Sequence, residues 1–391
     1  MRGPLEMLIK SSIAILMASG VYFTSTFWSS PSYPTPAPPA PPVTTPQPPA
    51  PEPLPPSPPA PPVVGKPAKV KGIYVTAWTA GYQPRLETLI SLVDSTEINA
   101  MVIDVKDDTG DITYRSQAPR VDEVGSNKQP RATDIDSLLK TLTDRKVYKI
   151  ARVTVFKDPR AAEGHPAWAL KTASGSLWRD RTGAAWLDPY NREAWDYIIG
   201  IAKEAIAKGF NEVQWDYVRF PSDGETSTIV YPAKAAGDTR SRVEVIKSFL
   251  AYAKKELEPL GVPISADLFG LVTSAIDDLG IGQTLELAEE VDYISPMTYP
   301  SHYASGSYGF DNPNAEPYGV LAKAMQDAKA KLGEQGTVVL RPWLQDFDLG
   351  YPDYGAKELR DQIRACEDNG VEEWLLWSPT NSYTEAALKQ Q

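Results

Sequence analysis

Cysteine and histidine are nearly missing from this chain. A single cysteine, Cys366, in 391 residues excludes an intrachain disulfide and any cysteine-built zinc site. Two histidines, His165 and His302, leave too few imidazoles for a His-rich metal centre, for metal-dependent deacetylation or for a phosphodiesterase that works with a histidine pair. Excess positive charge is missing too. Beyond residue 67, 36 Lys and Arg face 48 Asp and Glu, a net charge near −12, which is opposite to what a nucleic-acid binder uses. No Gly-x-Gly-x-x-Gly follows the first predicted strand, which weakens the case for a dinucleotide site. No cofactor, no metal and no nucleic-acid partner are expected.

What is present divides into three parts. In residues 1–30, the run 11–28 carries no charge and follows Arg2 and Lys10. That length lies between a signal-peptide core and a membrane span, so a retained signal anchor is expected, with a cleaved signal peptide as the alternative. Either one puts the remainder outside the cytoplasm, anchored at the cell membrane or secreted. Residues 31–67 hold 19 of the chain's 37 prolines and form a Pro-rich linker. At ~3.1 Å per residue, polyproline II would make it a semi-rigid spacer of roughly 100 Å. Residues 68–391 are long enough for one large single-core domain.

Within that domain, β-rich runs alternate with amphipathic helical ones. Strands are predicted at 72–78, 100–106, 148–156, 212–220, 263–269, 291–299, 337–345 and 373–378. Helices are predicted at 85–96, 134–145, 192–208, 242–260, 320–332 and 356–369, with a short one near 285–290. Gly209, Gly261, Gly333 and Gly370 each stand between a helical run and a strand, where a left-handed cap belongs. This is the pattern of an α/β (β/α)8 TIM barrel, with a doubly wound open sheet as the alternative.

Alternation within the strands carries more information than their number, because odd and even residues point to opposite sides of a barrel wall. Met101, Ile103 and Val105, then Ala151, Val153 and Val155, then Val213, Trp215 and Tyr217, then Ile264, Ala266 and Leu268, make apolar faces for the helices. The lumen then collects Asp104, Lys106, Arg152, Gln214, Asp216, Ser265, Asp267, Arg341 and Gln345. Buried charges persist when they are paired or used by a ligand. So many, mostly toward the C-terminal strand ends, point to an active site at the barrel mouth.

Asp216 is predicted near the end of strand four and Asp267 near the end of strand five. Neighbouring strands lie about 4.8 Å apart, so the two carboxylates are expected to approach each other. Paired carboxylates suit glycoside hydrolysis, in which one protonates the leaving oxygen and the other attacks the anomeric carbon or activates water. Crowding raises one of the two pKa values and supplies the acid. The structural alternative is that each Asp only neutralises Arg152, Arg219 or Lys106.

The segments 70–80 (Val-Lys-Gly-Ile-Tyr-Val-Thr-Ala-Trp-Thr-Ala), 102–110 (Val-Ile-Asp-Val-Lys-Asp-Asp-Thr-Gly), 212–221 (Glu-Val-Gln-Trp-Asp-Tyr-Val-Arg-Phe-Pro) and 293–303 (Tyr-Ile-Ser-Pro-Met-Thr-Tyr-Pro-Ser-His-Tyr) resemble a family of putative glycoside hydrolases numbered as domain of unknown function 4015. The resemblance runs in order through residues 70–385, and 186–197 is similar to the wider group of α-amylase-type barrels. By that resemblance Asp216 takes the nucleophile position and Asp267 the acid/base position. Those enzymes carry Glu on strand five, one methylene longer than Asp267. A different barrel plan, with the acid on strand four and the nucleophile on strand seven, would pair Asp216 with Asp346.

Aromatic residues fit a sugar substrate, because pyranose faces stack on indole and phenol rings. Trp78, Trp168, Trp178, Trp186, Trp343 and Trp377 fall at strand ends or in loops, whereas Trp195 and Trp215 read as core. Tyr74, Trp78, Asp104, Lys106, Arg152, Gln214, Arg219, Tyr299, His302, Arg341, Trp343, Gln345 and Trp377 form the expected substrate-binding set, with Tyr303 beside it. Connections 157–191 and 222–239 are candidate binding loops. Asp107, Asp108 and Asp111 read as a solvated acidic turn, with a calcium site as the alternative. The expectation is a glycoside hydrolase acting on an extracellular or cell-wall polysaccharide. A degenerate polysaccharide-binding barrel held at the cell surface is the rival.

Overall fold

The structure is a computed structural model that describes residues 65–333 and 338–390. The expected signal anchor, and the linker up to residue 64, lie outside the described residues. No helix among the described residues is long and apolar enough to cross a membrane.

Eight parallel strand positions close into a barrel. They are β1 (Lys71–Val75), β2 (Ala100–Lys106), β3 (Tyr148–Thr154), β4 (Glu212–Asp216), β5 (Ile264–Phe269), β6 (Tyr293–Met297), a seventh position split into β7 (Val339–Leu340) and β8 (Trp343–Gln345), and β9 (Trp374–Trp377). Each strand position pairs with the next, β7 and β8 both with β6 and β8 with β9, and β9 returns to β1 through Lys71–Trp374, Gly72–Leu375 and Ile73–Leu376. The gap in the seventh strand falls at Arg341 and Pro342; proline has no N–H to give a ladder.

The predicted parity holds except at Tyr217, where the strand has ended and a left-handed turn brings the side chain to the cleft rather than the helices. Met101, Ile103, Val105, Ala151, Val153, Val213, Trp215, Ala266 and Leu268 join one apolar cluster with the helices, while Tyr74, Val102, Ile150, Trp343 and Leu375 form a second cluster in the lumen. The helices are built to cover that outer face. Residues Arg242–Leu257 bury Val245, Ile246, Phe249, Leu250, Ala253 and Leu257 at three- and four-residue spacing. Ser241 and Glu244 close a capping box at the start of this helix. Helix Arg192–Lys208 starts at an Asn191 cap and stops at Gly209, whose φ of 107° suits glycine best. Each large apolar side chain so covered contributes roughly 1.5–3 kcal/mol of transfer free energy.

Several boundaries differ from the sequence reading. The first strand stops at Val75, because Thr76 caps a helical turn over Ala77–Ala80, so Trp78 stands on a helix. The third stops at Thr154 rather than at residue 156. The fourth stops at Asp216 rather than at residue 220, because Tyr217 takes a left-handed φ of 48°. Leu285–Glu290 is a single 3-10 segment between β5 and β6.

Candidate active site

The lumen is filled in layers. At the floor, Glu212 and Arg341, both fully buried, form an ion pair, with Arg341 Nη1 3.1 Å from Glu212 Oε2. Ser265 Oγ donates to Glu212 Oε1 at 2.6 Å, Tyr148 Oη reaches Oε2 at 3.2 Å, and the Arg341 guanidinium lies 4.2 Å from the Tyr293 ring centroid. Arg341, expected to bind substrate, is therefore held at the closed end of the barrel. The sequence reading passed over Glu212, although Glu212 shares the parity of Gln214 and Asp216.

Above this floor, three carboxylates surround one cation. Arg152 donates to Asp216 Oδ2 from Nε (2.9 Å) and Nη2 (2.5 Å), and to Asp104 Oδ1 from Nη1 (2.5 Å). Tyr74 Oη donates to Asp104 Oδ2 at 2.6 Å, and the Tyr217 backbone N–H donates to Asp216 Oδ1 at 2.6 Å. That last bond exists because the left-handed turn at Tyr217 folds its amide back onto the preceding side chain. Asp267 stands one step along from the Trp215–Ala266 pairing, beside Asp216 on the neighbouring strand. Its Oδ1 accepts from Trp343 Nε1 at 2.7 Å.

One guanidinium cannot neutralise three buried carboxylates, so protons make up the difference. Burial pushes the Asp104 carboxyl up to about 6, against the pull of Arg152 and Tyr74. Burial, and then the charge of Asp216, raise Asp267 well above the carboxylate range; the Trp343 hydrogen bond and Arg152 oppose this. Burial also works against the Arg152 cation, but Asp216 and Asp104 overcome it and hold the group protonated.

The upper layer opens into a cleft of about 420 Å³ lined by Arg152, Asp216, Tyr217, Arg219, Phe269, Gly270, Leu271, Met297, Tyr299, His302, Tyr303 and Trp377. Trp377 stacks on Tyr74 at 4.0 Å between ring centroids and 12° between planes, and Trp343 meets both edge-on. Tyr299 lines the cleft, and its buried hydroxyl has no hydrogen-bond partner. Burial lowers the pKa of His302, whose Nδ1 lies 3.1 Å from Ser301 Oγ.

Other expected site residues lie elsewhere. The β2–β3 register shifts between Asp104 and Lys106, a bulge that leaves Lys106 Nζ 2.9 Å from Asp158 Oδ2 and 2.7 Å from the Thr154 carbonyl, fully buried and away from the cleft. Trp78 is 69% exposed under Arg131. Gln345 braces loops through the Ser301 amide and the Phe347 carbonyl. Gln214 gives Nε2 to Ser295 Oγ at 3.3 Å and leaves its buried Oε1 unpartnered. Asp346, the alternative partner, accepts from the Thr384 amide and hydroxyl. Trp168, Trp178 and Trp186 are buried in the apolar cluster under the 157–191 loop. In the acidic turn, Asp107 accepts from Thr109, Asp108 pairs with Lys157 and Asp111 with Arg160, and no metal-holding acidic or histidine cluster occurs among the described residues.

A parallel barrel with Asp216 on the cleft at its C-terminal mouth and Asp267 buried on the neighbouring strand is an arrangement that glycosidase chemistry uses. The chain belongs to the family described as a putative glycosyl hydrolase domain, whose model matches residues 72–383. Comparison with curated proteins finds no match. Among solved structures, a hypothetical protein from Ruminiclostridium thermocellum is 39% identical, covering 53% of this chain and 98% of its own, with a TM-score of 0.46. The PgaB (BpsB) glycoside hydrolase domain from Bordetella bronchiseptica is 14% identical over 83% of this chain and 99% of its own, at TM-score 0.57. An α-galactosidase from Thermus thermophilus in complex with stachyose is 14% identical over 83% of this chain and 64% of its own, at TM-score 0.50. The last two share the fold. The family membership makes carbohydrate the substrate class.

Proposed function

We propose that the protein is a glycoside hydrolase in which Asp216 and Asp267 divide the work of cleaving a polysaccharide outside the cytoplasm. The observation that carries this reading is the unequal environment of two carboxyls on adjacent strands, Asp216 lining the cleft and Asp267 buried away from its lining. Asp216 is ion-paired with Arg152 and opens on the cleft, so it is placed to face an anomeric carbon. Asp267 is buried beside it and favours its protonated form, so it holds the proton that a leaving glycosidic oxygen requires. Tyr74 and Trp377 offer a stacked aromatic platform, and Tyr299 a hydroxyl without a protein partner. Arg152 and Asp104 orient Asp216 and balance its charge as positive charge develops on the sugar ring.

The uncharged stretch at 11–28 and the Pro-rich linker support a surface-anchored or secreted enzyme that acts on wall or exopolysaccharide. Incubating the full chain with a panel of such polymers tests the reading. Release of new reducing ends is the expected result. Retained polymer binding without release would instead favour a degenerate, binding-only barrel.

A further inference from the structure

Arg219 is a second cleft arginine, and its surroundings are unlike those of Arg152. It lines the cleft and is only 7% exposed, yet no carboxylate forms an ion pair with it among the described residues. Its one hydrogen bond runs from Nη1 to the Phe220 carbonyl at 3.0 Å. Three rings surround the guanidinium, with centroids 5.0 Å (Trp186), 5.1 Å (Tyr217) and 4.8 Å (Phe269) away.

Aromatic faces hold a cation in place but offset only part of the cost of desolvating it. Asp216, Asp223 and Asp180 act on Arg219 only from beyond ion-pair distance, so its remaining N–H groups, on the wall of a cleft, have no protein acceptor among the described residues. The other two buried arginines among the described residues each have a carboxylate partner, Arg152 with Asp104 and Asp216 and Arg341 with Glu212; of the buried lysines, Lys106 has Asp158, whereas Lys149 has only the Thr143 hydroxyl. The domain's excess of acidic side chains makes a general attraction for polyanions a poor explanation.

We infer that Arg219 forms a subsite for the carboxylate of an acidic sugar, so that the polysaccharide cleaved carries a carboxyl group on the unit bound beside Asp216. A planar monoanion matches the guanidinium fork. A doubly charged phosphate at the same place would face greater repulsion from Asp216. The inference rests on the proposed glycosidase reading for its substrate class, but its test reads binding. The chemistry is shared by two sources: a uronic acid within the chain, and the lactyl ether of muramic acid in wall glycan.

The full chain is titrated with hyaluronan fragments for the first source and peptide-free wall glycan strands for the second. Each is compared with its carboxyl-reduced form, which keeps the skeleton and loses the charge. At least one acidic polymer is expected to bind about tenfold or more tighter than its reduced form. Arg219→Gln removes that preference by weakening the acidic form far more than the reduced form, and Arg219→Lys restores part of it. Which polymer shows the preference identifies the source. Equal affinity for acidic and reduced forms, no binding of either acidic polymer, or an equal loss for both forms in Arg219→Gln overturns the inference. Reducing-end release measured alongside separates the two readings: carboxylate-dependent binding without cleavage would sink the hydrolase and leave the subsite standing.

Discussion

Replacing Trp343 by phenylalanine deletes one N–H and keeps an aromatic ring against Tyr74 and Trp377. That N–H donates to Asp267 Oδ1 at 2.7 Å and stabilises the ionised form. A hydrogen bond to a charged group contributes about 1.5–3 kcal/mol, and losing it raises the Asp267 pKa further. Asp216→Asn acts in the opposite direction. Two charges about 4.8 Å apart, the spacing of adjacent strands, repel by roughly 3.5 kcal/mol at an effective dielectric near 20. Removing the Asp216 charge lowers the Asp267 pKa, and the Arg152 cation so released pulls the same way. Carbon-13 NMR titration of aspartate side-chain carboxyls reads both shifts, with the Asp267 resonance assigned by its absence in Asp267→Asn. A fall or no change in Trp343→Phe, or a rise in Asp216→Asn, would refute the reasoning.

Other perturbations give further expected outcomes. Arg341→Met leaves Glu212 buried with only hydroxyl partners and costs about 3–5 kcal/mol in urea unfolding, without loss of polymer binding per folded molecule. Burial raises Asp104 from the ordinary 3.8 to about 6 in the fold, so this term supports the fold fully below about pH 4 and is lost as pH rises through 6, a change of roughly 3 kcal/mol. Denaturation of wild type and Asp104→Asn at pH 4 and pH 6.5 measures it, and the variant lacks that decline. Trp377→Ala removes the ring stacked on Tyr74 and weakens polymer binding about tenfold or more in a titration, with the Asp267 carboxyl still raised. A methyl group on Gly270 would lie 2.4 Å from the Met297 carbonyl oxygen, so Gly270→Ala displaces the cleft wall and lowers stability by about 1–3 kcal/mol by thermal unfolding.

The barrel and its inward-facing set were legible because strand parity has a period of two and survives errors at strand ends. Misplacing the end of the fourth strand by four residues left Asp216 inside, since inward placement depends on register with Gln214. What parity could not supply was depth along the barrel axis or the identity of each partner. Arg341 and Arg152 look alike in a strand pattern, yet one closes the floor with Glu212 and the other serves the mouth. Lys106 was misassigned for a different reason: a one-residue bulge after Asp104 changes register without any glycine or proline to announce it. The raised Asp267 carboxyl was expected from crowding by Asp216, but burial is the larger cause, and burial depends on Trp343 from a strand far away in sequence. Arg219 was picked out as a binding residue, whereas its lack of a carboxylate partner became visible only once Trp186, Tyr217 and Phe269 were packed around it.

The most direct test of the account is the release of reducing ends by wild type and by Asp216→Asn, side by side on the polymer that wild type cleaves best. The account predicts that the variant folds, binds the polymer and loses about a thousandfold or more of the cleavage rate, a barrier rise of about 4 kcal/mol. Cleavage by Asp216→Asn at the wild-type rate would contradict it.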